Sequence, residues 1–328
     1  MFPDLALPAL MGVLLGAAAH RAGLCTVKAV AEVMTTGRAH VLWSFLKASF
    51  WTLGILSVAG LFGAEPQLSA RAISLAGLGG GLVFGIGAGL NGACSFSTLA
   101  RLAEGHGVML ATLAGWALGL LAMRGLAPAQ AGAPASSVLP AWLILPGLAW
   151  ILWEGVRLAS RLFRNGRRLF EEGYWPLSLG VLVIAVGNAG LLLMDRPWSF
   201  TSTAICATGA ARAAPCAHPG TLWTVSVAAL LTMIVSARLR GSFRLRPMGL
   251  RPALRRLGAG SLMGAGAAMI PGGNDGLVLF GVPALSPHAL PVLLGIVGGV
   301  WLVLATMRSL GARVPTILCE SDICRASP

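Results

Sequence analysis

Two cysteines, Cys25 and Cys94, carry the clearest chemistry in this chain, because each closes the same ten-residue frame. Gly16 to Cys25 reads GAAAHRAGLC, and Gly85 to Cys94 reads GIGAGLNGAC. Each stands where a long apolar run stops and a short segment with small polar residues begins: Thr26 in one case, Ser95, Ser97 and Thr98 in the other. A thiol in such a place is a weak donor that stays neutral, so it touches a soft anion without the cost of burying a charge. With its pKa lowered at a helix start it becomes nucleophilic, and covalent sulfur exchange opens. The plainer reading is a buried structural cysteine acting as a small hydrophobe.

The frame recurs twice without a thiol. Gly264 to Gly273 ends in Gly273, Asn274 and Asp275 where a cysteine would fall, and Gly187 to Arg196 is a looser copy followed by Pro197 and Trp198. Asp275 is a functional candidate because an intramembrane carboxylate is one by default; Asn274 and Asp275 are equally read as caps on the segment that follows. Arg196 reads either as an attractor for an anion at an outer mouth or as an interfacial anchor. Asn91, Ser95, Ser97 and Thr98 are candidates to hydrogen-bond an anion's oxygens, with capping and packing the plainer role. Lys28 and Arg101 follow the two cysteines on equivalent segments, where they draw an anion inward or simply set topology. His20 and His106 have no second ligand at metal-site spacing, so no metal site is expected. No cofactor is expected either, and the phosphate-binding pattern G-x-x-x-x-G-K-[ST] does not occur.

The elements that position these residues are membrane helices. The chain is 56% hydrophobic and 11% charged, with several apolar stretches of eighteen residues or more, which exclude a soluble domain; their continuity excludes a barrel. Nine spans are expected, over 5–19, 41–63, 73–90, 108–124, 139–160, 175–194, 222–237, 254–270 and 290–307. Four segments after the breaks, about 26–34, 95–104, 197–209 and 274–282, are too short to cross a hydrocarbon core of ~30 Å and read as re-entrant or half-helices. A restarted helix presents unpaired N–H groups and a positive dipole end, which suits an anion. The fold class is therefore all-α and polytopic.

Charge sets the orientation. One side of this topology collects 20 of the 24 basic residues, including the runs from Arg157 to Arg168 and Arg238 to Arg256, so the N-terminus is placed outside and the C-terminus in the cytoplasm. The net charge of +13 is then a topology signal, and nucleic acid is not an expected partner. No basic n-region precedes the first apolar run, so the first span is expected to be retained. The paired breaks divide the chain into a first membrane half (1–138), a linking span with a basic loop (139–174), a second, inverted half (175–310) and a cytoplasmic tail (311–328), a recurrent transporter arrangement. Cys206 and Cys216 fall in an outer connection, where a disulfide is open. Cys319 and Cys324 form C-x4-C in the tail, without the further ligands of a zinc site, and are read as incidental or partner-related.

The stretches RAGLCTVKAV, GIGAGLNGACSFSTLARLAEGHG, RPWSFTSTA and PGGNDGLVLFGVP together resemble the YeeE/YedE family of bacterial inner-membrane proteins. That resemblance implies an hourglass-shaped permease with inverted repeats that imports thiosulfate, handed along by cysteines through S–H···S hydrogen bonds. Cys25 and Cys94 match two of the family's cysteine positions. A third is absent, with Gly273, Asn274 and Asp275 in its place. The implied substrate is thiosulfate or a related sulfur anion, the setting a lipid bilayer of the inner membrane, and the receiver a cytoplasmic TusA-like sulfur-transfer protein. The expected activity is transport and not catalysis. Two other readings stay open: a membrane sulfurtransferase carrying a persulfide on Cys25 or Cys94, and a sulfur-status sensor or scaffold acting through the tail.

Overall fold

The computed structural model describes residues 3–64, 66, 68–125, 135–137, 140–171, 173–210, 216, 218–270, 273–320 and 322–326. Residues 271–272, within the Gly264 to Gly273 frame, and Arg212, one of the four basic residues assigned to the outer side, lie outside them. Thirteen helices are described: α1 (Pro3–Ala22), α2 (Thr26–Thr36), α3 (His40–Leu61), α4 (Leu75–Asn91), α5 (Ser95–Ala103), α6 (Met109–Ala122) and α7 (Ile144–Glu171) come first. Then follow α8 (Leu177–Leu193), α9 (Phe200–Thr208), α10 (Pro219–Leu239), α11 (Leu250–Met269), α12 (Gly273–Gly276) and α13 (Ala289–Ser309), with a π-helical turn, Leu277–Gly281, continuing α12. A helix lies over each of the nine stretches expected to span, and a short one over each of the four expected breaks. Five helical runs are long and apolar enough to cross a membrane by length and composition. Two small hairpins complete the chain, β1 (Leu68–Ala70) with β2 (Ala135–Ser137) and β3 (Ile317–Glu320) with β4 (Ile323–Ala326).

All four breaks pass through a left-handed residue. Gly23, Gly92 and Gly273 have φ of 63°, 65° and 68°, and Asp195 has 55°. Glycine takes this conformation without the Cβ clash that other residues suffer. At the α4–α5 break the turn closes in the usual C-terminal manner, the Ala93 N–H reaching back to Ala88 O.

The long helices pack in matched pairs. α1 lies on α10 and α3 on α8; α4 lies on α13 and α11 on α6; α1 also meets α8, and α4 meets α11. Exchanging α1 with α8, α3 with α10, α4 with α11 and α6 with α13 leaves this pattern unchanged. The interfaces share a chemistry as well, since small residues four apart let helix backbones touch. Gly81 and Gly85 of α4 face Gly295 and Gly299 of α13, while Gly115 and Gly119 of α6 face Gly260 and Gly264 of α11. A β-carbon built on Gly260 would stand 2.1 Å from Thr112 O, and one on Gly85 2.2 Å from Ile296 O. Backbone cannot yield as a side chain does, so these contacts fix the helix separation.

Gly260→Ala is accordingly expected to cost about 1–3 kcal/mol by overpacking, seen as a lower thermal midpoint of detergent-extracted protein. Gly298→Ala, on the same kind of helix but with nothing within 4 Å of its β-carbon, is expected to hold or gain about 0.5–1 kcal/mol. Equal midpoints for the two variants would refute the close-contact account.

Candidate functional site

The site is built from the restarts of the four broken helices. Cys25 occupies the N-cap position of α2 and Cys94 that of α5, both in extended backbone and neither providing a regular side-chain cap. Both are unpaired thiols, 2% exposed. The two sulfurs lie close enough to interact, at the head of α2 and of α5. Ser97 ties the two breaks together: its hydroxyl donates to Leu24 O at 3.2 Å and stands 3.7 Å from Cys94 Sγ. Two thiols and the open N-termini of two helices thus converge on one spot.

The second pair of restarts closes against it. Ser95, first in α5, donates to Asn274 Oδ1 at 2.7 Å. Asp275 accepts from the Thr201 hydroxyl at 2.6 Å and from the Thr201 N–H at 3.2 Å, so it caps α9 and not the helix that carries it. Ser199 caps α9 as well, accepting from Ser202 N. A β-carbon on Gly273 would strike Thr201 at 2.3 Å, which is why this break admits only glycine. A cavity of about 30 Å³ lies between Cys94, Phe96, Asn274 and Asp275, room for a water or two and no more. Phe96 also begins a stack of edge-on rings through Phe200, 5.3 Å away, to Trp198, 4.6 Å further.

Several expected site residues turn out to be bound by protein. Asn91 donates to Ala93 O and to Thr98 Oγ1, and its oxygen accepts from Thr112 and from Arg256 Nη1 at 3.0 Å. Thr98 donates to Cys94 O. These two side chains clasp the α4–α5 break. Arg196 donates to Asp4 O and to Thr221 Oγ1, tying the α8–α9 break to the starts of α1 and α10. Lys28 reaches back to Gly23 O at 3.3 Å, whereas Arg101 points at Gly92 beside Arg256.

Sequence reasoning missed other participants. Thr201 was not singled out, nor were Ser49 and Asn188, whose side chains donate to Val278 O and Leu279 O in the π-helical turn. His20, read as isolated, has Nδ1 2.9 Å from Ser236 Oγ, and its other nitrogen is 3.5 Å from Glu104. Glu104 also pairs with Arg240. Burial raises the Glu104 carboxyl, but the His20 ring and the Arg240 guanidinium more than offset that and hold it below the usual carboxylate range. The buried pair of Lys47 and Glu154, joined by Ser178, links α3, α7 and α8. A carboxylate and an amine far apart in sequence give no local signal.

Asp275→Ala would leave a buried N–H and a buried hydroxyl on Thr201 without their acceptors, at about 1–3 kcal/mol for such a group. The expected result is a clearly lower thermal midpoint with unchanged oligomeric profile in detergent. An unchanged midpoint would show that Asp275 does not hold α9.

None of the curated proteins matches this chain. A family model for sulphur transport matches residues 21–302, from just before the first thiol to the body of α13, and the chain therefore belongs to that family, the YeeE/YedE family its break motifs resemble.

Proposed function

We propose that this chain is an inner-membrane permease that imports a small sulfur-containing anion, thiosulfate in the first instance, through a narrow path between two inverted halves, 1–138 and 175–310. The observation that carries the reading is the face-to-face pair of free, buried thiols at two helix N-termini. Each helix start contributes roughly half a positive charge, which attracts a dianion to the constriction. The sulfane end of thiosulfate is soft and poorly hydrated, a match for thiol donors, while its oxygens take amide and hydroxyl donors such as the Ser95 and Ser97 side chains. Asn274 and Asp275 close the far wall, and Gly273 permits their approach. Sulfate offers only hard oxygens and is expected to be a poor substrate.

The exchange of packing partners between α1–α6 and α8–α13 supports the inverted halves. The concentration of basic residues supports a periplasmic N-terminus and a cytoplasmic tail. Lys28, one turn below Cys25, and Arg101, two turns below Cys94, then lie on the cytoplasmic side and draw the anion onward to a sulfur-transfer protein of the TusA-like kind. Arg196 lies at the outer end. The small cavity belongs to a closed state, and passage requires the short helices to part.

Uptake of thiosulfate labelled in its sulfane sulfur, into cells lacking other thiosulfate systems, tests this directly. The chain is expected to support uptake, with Cys94→Ala and Cys25→Ala each lowering it about tenfold or more at matched membrane levels, a loss of ~1.4 kcal/mol or more in the barrier. Sulfate uptake should stay at background. No uptake by the unmutated, membrane-inserted protein would overturn the thiosulfate reading, and full uptake by both variants would overturn the role of the thiols.

A further inference from the structure

The C-terminal hairpin is not used by the path, yet it is tied into the protein at every side. Cys319 of β3 and Cys324 of β4 are directly opposed and joined as a disulfide. Ile317 and Cys324 are 1% and 6% exposed. The turn residue Asp322 accepts from Leu177 N at 2.7 Å through its carbonyl and from Ser178 N at 2.8 Å through its carboxylate, so the hairpin caps α8. Arg161 of α7 approaches the same carboxylate at 3.6 Å. On the other side Cys319 Sγ lies 3.3 Å from Oε1 of Glu32, a fully buried carboxylate of α2 that also accepts from His40 N and Val41 N. The hairpin therefore bridges α2, the helix headed by Cys25, to α8 in the other half.

We propose that Cys319 and Cys324 form a reversible thiol–disulfide site facing the cytoplasm, and that the disulfide form pins α2 to α8 while the dithiol form releases it. The inference rests on the orientation and the permease reading given above. Disulfides in a reducing compartment are characteristically transient or redox-sensing, unlike Cys206–Cys216, which that orientation places outside. Cys319 is the more accessible sulfur and the one attacked. A thiolate of a cytoplasmic dithiol protein bonds to Cys319 Sγ, and Cys324 leaves as thiolate and takes a proton. The second thiol of the reductant then displaces Cys319. Two electrons and two protons pass to the pair, and the reductant ends as its own disulfide. Reduction frees the two strands from their crosslink, so the hairpin no longer holds its contacts on α2 and α8 together. Because α2 must shift for the closed constriction to open, a crosslinked hairpin holds the path shut.

The test uses the full chain in lipid nanodiscs, with thiols alkylated and mapped by peptide before and after treatment with a thioredoxin-class dithiol protein. Reduction is expected to make Cys319 and Cys324 alkylatable and to speed tryptic cleavage after Arg313 several-fold. In cells, a thiol oxidant is expected to lower uptake several-fold, reversed by dithiothreitol; the Cys319→Ser/Cys324→Ser variant should be insensitive. Asp322→Ala, which frees α8 but keeps both cysteines, should also lose the response while still forming the disulfide. Failure of the dithiol protein to open the pair, or unchanged cleavage on reduction, would overturn the proposal. An oxidant response surviving in the serine variant would assign it to Cys25 and Cys94 instead. One zinc ion per reduced chain, lost in the serine variant, would overturn it in favour of a metal site, since ligand atoms of Glu32, Cys319 and Cys324 lie within 4.8 Å of one another. Alkylation and cleavage need no transported substrate, so a failure of the permease reading is distinguishable from a failure of this one.

Discussion

A helix broken among apolar neighbours leaves amide and carbonyl groups that water cannot reach, and each must find a protein partner or line a cavity. The architecture depends on that requirement being met four times. The α4–α5 break is clasped by Asn91, whose amide satisfies Ala93 O while its oxygen receives Thr112 and Arg256. The start of α9 is met by Ser199 and by Asp275. The widened π turn after α12 hands its carbonyls to Ser49 and Asn188. α2 and α5 likewise restart at breaks, with no side-chain cap, and both start at thiols. Two helix starts with open backbone donors therefore stand where the sulfurs meet.

Satisfying the breaks requires backbones to approach closely, and the glycine pairs supply that closeness. α4 with α13 and α6 with α11 lie backbone to backbone, because no side chain intervenes at Gly85, Gly299, Gly115 or Gly260. Such interfaces are stiff, and they place Ser95 within reach of Asn274 across 179 positions of sequence. The short restarts meet instead through polar contacts, Ser95 with Asn274 and Thr201 with Asp275.

Much of this was legible because it is local. Apolar length gave the helices, and glycine before a polar small residue gave the breaks, since a left-handed turn and a helix start have residue preferences of their own. The recurring frame also marked Cys25 and Cys94 as equivalent, and the structure brings them together. What was illegible is non-local. Asp275 looked like a cap for its own helix and caps another; Asn91 looked like an anion ligand and has its polar atoms engaged by protein; Thr201, Ser49 and Asn188 are unremarkable in sequence and matter because of what folds against them. Cys319 and Cys324 looked incidental or partner-related, and only the docking of the hairpin on α2 and α8 gives them a setting within the chain.

The placement of positive charge follows from what a conducting site must do under the proposed reading. Binding has to be strong enough to admit an anion and weak enough to release it. A lysine or arginine at the constriction would attract a dianion by several kcal/mol at the effective dielectric of a protein interior and hold it there. Lys28 and Arg101 start one and two turns along α2 and α5 from the thiols, and their side chains turn back toward Gly23 and Gly92 at the two breaks. The thiols and the helix dipoles, each a partial charge, attract at the narrowest point, and the two full charges flank it, Lys28 engaged by the Gly23 carbonyl. Thiols add selectivity without adding charge, because they reward a soft sulfur and give little to a hydrated oxygen. The absence of a third thiol at Gly273 is consistent with this division: Asn274 and Asp275 there hold α5 and α9 in place, so the sulfur contacts rest on two residues rather than three.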